Sequence, residues 1–237
     1  LRTLLFCLEV HGEYINSARI DNLASCFVAM QALREHATDE SALSEDSDVS
    51  LVALFDHEEV GSGSAEGAGS PIMRDAVSRI CSALHDGTTE PVSLERTQMC
   101  LARSMILSVD MAHAVHPNYA SKHEKSHGPR MNGGVVVKSN SNQRYATNAV
   151  TGFLIRELAR REQVPLQEFV VRNDCACGST IGPIIAANTG IRAVDLGMPQ
   201  LSMHSIREMM GKKDLEFSRR LFGRFFIDFR SIDESLK

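Results

Sequence analysis

Short apolar runs of strand length alternate along this chain with stretches of helical periodicity, and that alternation restricts the fold more than any other feature. Val49 to Phe55 is an apolar run bounded by polar residues, the pattern of a strand buried on both faces. Met105–Val109, Val135–Val137, Phe169–Val171 and Ile191–Leu196 read as further strands. Leu23, Cys26, Phe27, Met30 and Leu33 recur at helical spacing, which predicts an amphipathic helix over 22–37. A helix opened by Pro71, one around Ala146–Arg161, a short one after the turn at 177–183, and two at the C-terminal end complete the series. The acidic stretch Thr38–Asp48, the glycine-rich turn Gly61–Ser70 and the long polar stretch Ala112–Gly133 are expected as loops. Strands alternating with helices imply an α/β layered domain around a mostly parallel sheet.

The 237 residues suffice for a substantial core, and a 43% hydrophobic share excludes wholesale disorder. A net charge of -5 leaves no electrostatic footprint for nucleic acid. The same charge would not attract acidic substrates, so any acidic preference must come from local groups. No apolar run approaches a membrane span, and Leu1–Val10 lacks a signal-peptide layout. Cys7, Cys26, Cys81, Cys100, Cys175 and Cys177 show no paired metal-finger spacing and fit reduced thiols in a cytoplasmic protein. The chain opens on Leu1 without a methionine, which points to a fragment.

In open α/β sheets, sites gather beyond the carboxyl ends of strands. Here the run 49–55 leads into Asp56-His57-Glu58-Glu59, the run 105–109 into Asp110 with His113 and His116, and 135–137 into Lys138. His204 follows the last strand after Pro199. Carboxylates and imidazoles on one rim are the donors that a zinc site with oxygen and nitrogen ligands requires. Each has a plain alternative. Asp21 can be a helix N-cap, Glu58 and Glu59 solvated surface acids, Lys138 a solvated lysine leaving a sheet edge, and His204 a satisfied non-ligand histidine. In an extended segment, Glu58 and Glu59 would point in opposite directions, one to a metal and one to a water.

Ser17–Leu23, Glu58–Ser62, Ser108–Asn118, Gln143–Ala146, Cys177–Pro183 and Met203–Glu208 together resemble segments of the aspartyl aminopeptidase family, in order, over about Ile15 to Met209. The resemblance implies a three-layer α/β/α sandwich of the zinc-dependent exopeptidase type. Residues 1–237 would be the C-terminal part of its catalytic domain. It implies a site with two zinc ions, with Mn²⁺ or Co²⁺ as alternatives at such oxygen-rich positions. Asp21 matches the bridging carboxylate, Asp110 a ligand of one metal, Glu59 and His204 ligands of the other, and Glu58 the general base. Asp110, His113, Lys138 and Tyr145 match positions that face substrate, with Lys138 suited to the carboxylate of an N-terminal Asp or Glu; His116 is a further lining candidate. The family assembles as a tetrahedral dodecamer.

Two departures stand out. The family's upstream His-x-Asp segment, which supplies a further ligand, has no match, since His11 lies in Val10-His11-Gly12-Glu13. The family also inserts a dimerisation domain before the segment ending in Asp21, of which only the last edge is expected here. Two other readings follow: a paired-metal enzyme acting on neutral N-terminal residues, and a non-catalytic fragment acting in assembly.

Overall fold

The computed structural model describes residues 12–84 and 92–236. Cys7 and His11 lie outside them. The elements run in chain order as β1 Tyr14–Ser17, α1 Ile20–Thr38, α2 Glu40–Glu45, α3 Ile72–Ala83, α4 Leu94–Arg103, β2 Met105–Val109, β3 Ala112–His113 and β4 Val135–Ser139. Then come α5 Ala149–Glu162, β5 Leu166–Val170, α6 Ile181–Thr189, β6 Arg192–Gly197, β7 Pro199–Leu201, β8 Glu208–Gly211 and α7 Lys212–Ser235.

The strands make two sheets. The larger has the order β2-β6-β4-β5; β2–β6 and β4–β5 are parallel, and the β4–β6 junction is antiparallel. Successive residues of β6 face opposite sides of this sheet. Val194 and Leu196 enter a core with Val135, Val137, Leu154, Leu158, Leu221 and Phe222, so α5 and α7 cover that face. Asp195 points the other way, against Gly182 of α6, and α6 packs against α3, which in turn packs against α4. This is the expected α/β layering, with helices on both faces.

The second sheet, β1-β8-β7-β3, has no counterpart in the sequence reading. Its strands are too short for periodicity to single them out. It stands at the carboxyl ends of β2 and β6 and carries part of the site.

Several expectations need correction. Residues 49–55 form no ladder among the described residues, and Val49, Leu51 and Leu54 are exposed. Apolar character reported a wish for burial, which these residues do not find here. The stretch 38–48 holds α2, opened by Asp39, whose carboxylate accepts the N–H groups of Ser41 and Ala42. The stretch 112–133 holds β3 and a 3-10 segment, Pro117–Lys122. The C-terminal end is β8 followed by one helix of 24 residues in place of two helices. The helix expected from 146 begins at Ala149, because Asn148 and Thr151 close a reciprocal capping box there.

Candidate metal centre and substrate pocket

Asp21 sits where the chain enters α1, with non-helical φ −79° and ψ 108°, and its side chain caps nothing. Asn22 Nδ2 donates to the carbonyl of Val109 at 2.7 Å, which ties this entry to the end of β2, next to Asp110. Glu58 and Glu59 lie in a 3-10 turn, Glu58–Val60, and not in an extended segment. A 3-10 turn sends neighbouring side chains about 120° apart, so the two glutamates still diverge. His204 takes left-handed backbone, φ 65°, in the turn between β7 and β8.

These three places converge. His204 Nε2 lies 3.1 Å from Asp21 Oδ2 and 3.1 Å from Glu59 Oε1. One ligand atom from each of Asp21, Glu59 and His204 falls within 4.8 Å of the others, a donor set that fits a divalent cation. Asp21 is nearly enclosed, with 6% of its side chain exposed, while Glu59 and His204 face the open side at 59% and 60%. Asp110 lies against Asp21 side chain to side chain. Burial first, then the charges of Asp110, Glu59 and Glu208, push Asp21 up to about 8. Packed anions that raise one another in this way are what a bound cation relieves. Burial, then the charges of Asp110 and Glu59, also raise Glu58.

Glu208, only 2% exposed, was not singled out in the sequence. Its Oε2 accepts the Asp21 N–H at 2.9 Å and its Oε1 the His204 N–H at 2.7 Å. One carboxylate thus fixes the backbone under two members of the cluster. Gly197, at the end of β6, is needed for the same region to close: a Cβ there would lie 1.7 Å from the carbonyl oxygen of Asp110.

A cavity of about 940 Å³ opens beside the cluster, lined among others by Glu58, Asp110, His113, Lys138 and Tyr145. Lys138 is no solvated edge lysine, for it is 3% exposed. Its Nζ donates to the Met111 carbonyl at 2.7 Å, lies 3.4 Å from Asp110 Oδ2 and sits 5.5 Å from the centre of the Tyr145 ring. Burial and a hydrogen bond with Cys177 raise Tyr145, which therefore stays a neutral phenol. His113, on β3, pairs in register with Gln200 of β7. His116 also lines the cavity and accepts the Asn118 N–H at 3.1 Å.

An α/β domain with carboxylates and a histidine brought together from a helix entry and two turns, beside a roomy cavity, has the build of a metal-dependent hydrolase. The family model described as aminopeptidase I zinc metalloprotease (M18) matches residues 7–226, and the chain belongs to that family. It is 53% identical over 224 residues to a probable aspartyl aminopeptidase of Ricinus communis, covering 94% of this chain and 44% of that one. It is 49% identical over 228 residues to aspartyl aminopeptidase 4 of Saccharomyces cerevisiae, covering 95% and 46%. The chain therefore spans about half the length of the curated relatives it matches. Among solved structures, a cryo-EM structure of an Ape4 and Nbr1 complex superposes with TM-score 0.91 at 44% identity, covering 99% of this chain and 43% of that one. The S. cerevisiae mApe1 dodecamer superposes with TM-score 0.85 at 36% identity, covering 98% and 50%.

Proposed function

We propose that this chain is the C-terminal part of the catalytic domain of a zinc aminopeptidase that releases unblocked N-terminal Asp or Glu from peptides. The observation that carries the reading is the placing of a buried ammonium, Lys138, in the same cavity as the cluster Asp21, Glu59 and His204. Asp21, Asp110, Glu59 and His204 would hold a zinc pair, with Asp21 shared between the ions. Zinc bound there supplies a Lewis acid and lowers the pKa of water. Glu58, half-buried beside the cluster, takes a proton from the attacking water and hands it to the leaving amine nitrogen. Lys138 offers its charge to the side-chain carboxylate of the substrate, at a place already short of water and so favourable to a charge-assisted bond. Tyr145 and His113 bound the space around that carboxylate.

No helix among the described residues is long and apolar enough to cross a membrane. The described cysteines are free, as thiols are in a reducing compartment, and the reading places the protein in the cytoplasm. The dodecamer named for the S. cerevisiae relative supports a like assembly for the full-length parent.

The test uses that parent, loaded with zinc. Glu58→Gln should lower kcat on a peptide with N-terminal Asp by about 10²–10⁴-fold while zinc content is kept. Lys138→Ala should cripple turnover of acidic substrates and spare neutral ones. Full activity of the Glu58→Gln enzyme would remove Glu58 from the base role, and an equal loss on both substrate classes would remove Lys138 from recognition.

A further inference from the structure

Asp195, on β6, belongs to none of the family-like segments and does not line the cavity, yet it is fully buried, with 0% exposed. Three segments donate to its carboxylate. Ser108 Oγ and Thr180 Oγ1 each reach Oδ1 at 2.6 Å, and the Ala146 N–H reaches Oδ2 at 2.5 Å. Thr147 Oγ1 accepts the Asp195 N–H at 3.0 Å. Gly182, in the first turn of α6, presses against the carboxylate so closely that a Cβ would lie 2.5 Å from Oδ2. An apolar residue at this position would leave the Ser108 and Thr180 hydroxyls and the Ala146 N–H without the acceptor they now share.

Each donor belongs to a segment that carries part of the pocket. Ser108, on β2, lies two residues before Asp110 at the end of that strand, and Ala146 follows Tyr145. Thr180 ends the stretch from Cys175 that forms one wall of the cavity. The Tyr145 segment and that wall are also tied together: the Thr180 N–H and Ser179 Oγ both donate to the Arg144 carbonyl, each at 3.3 Å.

We propose that Asp195 is a positioning residue. From behind the cavity it holds Tyr145 and the wall 175–180 at a set distance from Lys138, and so sets the width of the space that takes the side chain of the substrate's N-terminal residue. The proposal rests on the reading of Lys138 as the recognition cation.

The test again uses the full-length, zinc-loaded parent. Thr180→Val removes one donor while keeping the side-chain shape, and Thr180→Ser keeps the hydroxyl. Thr180→Val should raise KM for a peptide with N-terminal Asp about tenfold, the effect of losing a hydrogen bond to a charged group. Its kcat should stay within about twofold, and Thr180→Ser should restore KM. Independently of turnover, alkylation of Cys177 by iodoacetamide, followed by mass spectrometry, should run several-fold faster in Thr180→Val and at the wild-type rate in Thr180→Ser. Should Thr180→Val not fold, Ser108→Ala removes another donor to the same oxygen and should shift KM and alkylation in the same direction. Equal KM and equal alkylation in the variant and the wild type, or a fall in kcat at unchanged KM, overturns the proposal. If the parent releases no acidic residues, the reading of Lys138 fails, and the alkylation comparison alone decides the role of Asp195.

Discussion

Glu208 accepts one N–H from Asp21 and one from His204, so the geometry of the cluster depends on a carboxylate outside it. Removing such a support leaves two part-buried N–H groups without their acceptor and frees Asp21 and His204 to drift. Glu208→Ala in the zinc-loaded parent should weaken zinc binding by about 10–100-fold, measured by competition with a chelator. Glu208→Gln, which keeps one acceptor oxygen, should fall between. Unchanged zinc affinity in Glu208→Ala would mean that the ligands hold their places unaided. Glu59 and His204 were legible in the sequence because carboxylates and imidazoles carry a chemical signature, whereas Asp21, by itself a helix-cap candidate, came only with the family resemblance. Glu208 carried none, since its role depends on two backbone groups, one of which, the Asp21 N–H, lies 187 residues away in the chain.

At the scale of the element, α1 shows what periodicity does and does not convey. A helix over 22–37 is present within Ile20–Thr38, but its apolar residues Leu23, Phe27 and Met30 are exposed, at 55%, 66% and 46%. Ile20, Ser25, Val28, Ala32 and His36 are the ones buried, on the face that packs against α7. Spacing establishes that a helix has an apolar stripe; its neighbours decide which face is covered. The stretch that follows α2 is anchored by charge. Arg230 of α7 grips Asp48 through Nε and Nη2 at 2.8–3.1 Å, in a two-pronged geometry that only a guanidinium provides. Arg230→Ala should lower unfolding stability by about 2 kcal/mol in urea titrations. Arg230→Lys should recover less than half of that loss, because one ammonium cannot make the paired contact.

The described residues form two sheets joined at their ends, and Asp214 stands at a join. Its carboxylate, at the start of α7, accepts N–H groups from Asn132 at 2.6 Å and Gly134 at 2.9 Å, which fixes the chain entering β4. Burial pushes Asp214 up to about 6, against the lowering effect of those two bonds. A carboxyl raised in the folded state binds its proton more tightly folded than unfolded. Its contribution to stability is therefore complete below the unfolded value near 4 and is lost as pH rises through about 6. The loss amounts to about 3 kcal/mol at neutral pH. Asp214→Asn, which cannot ionise, should remove this component, so the difference in urea stability between variant and wild type should change across about pH 4 to 6. A constant difference over that range would show that Asp214 does not titrate there.

From the order of residues alone come the α/β class, most strands and helices, and Glu59, Asp110 and His204 as candidate metal donors, because these depend on local periodicity and on side-chain chemistry; family resemblance added Asp21. Folding in three dimensions supplied the rest. It set Asp21 against His204, buried Lys138 beside Tyr145, built the second sheet and gave Asp195 its three donors. It also left the run at 49–55 without a ladder among the described residues. Contacts between groups tens to hundreds of residues apart depend on how elements pack, and no local pattern records that packing.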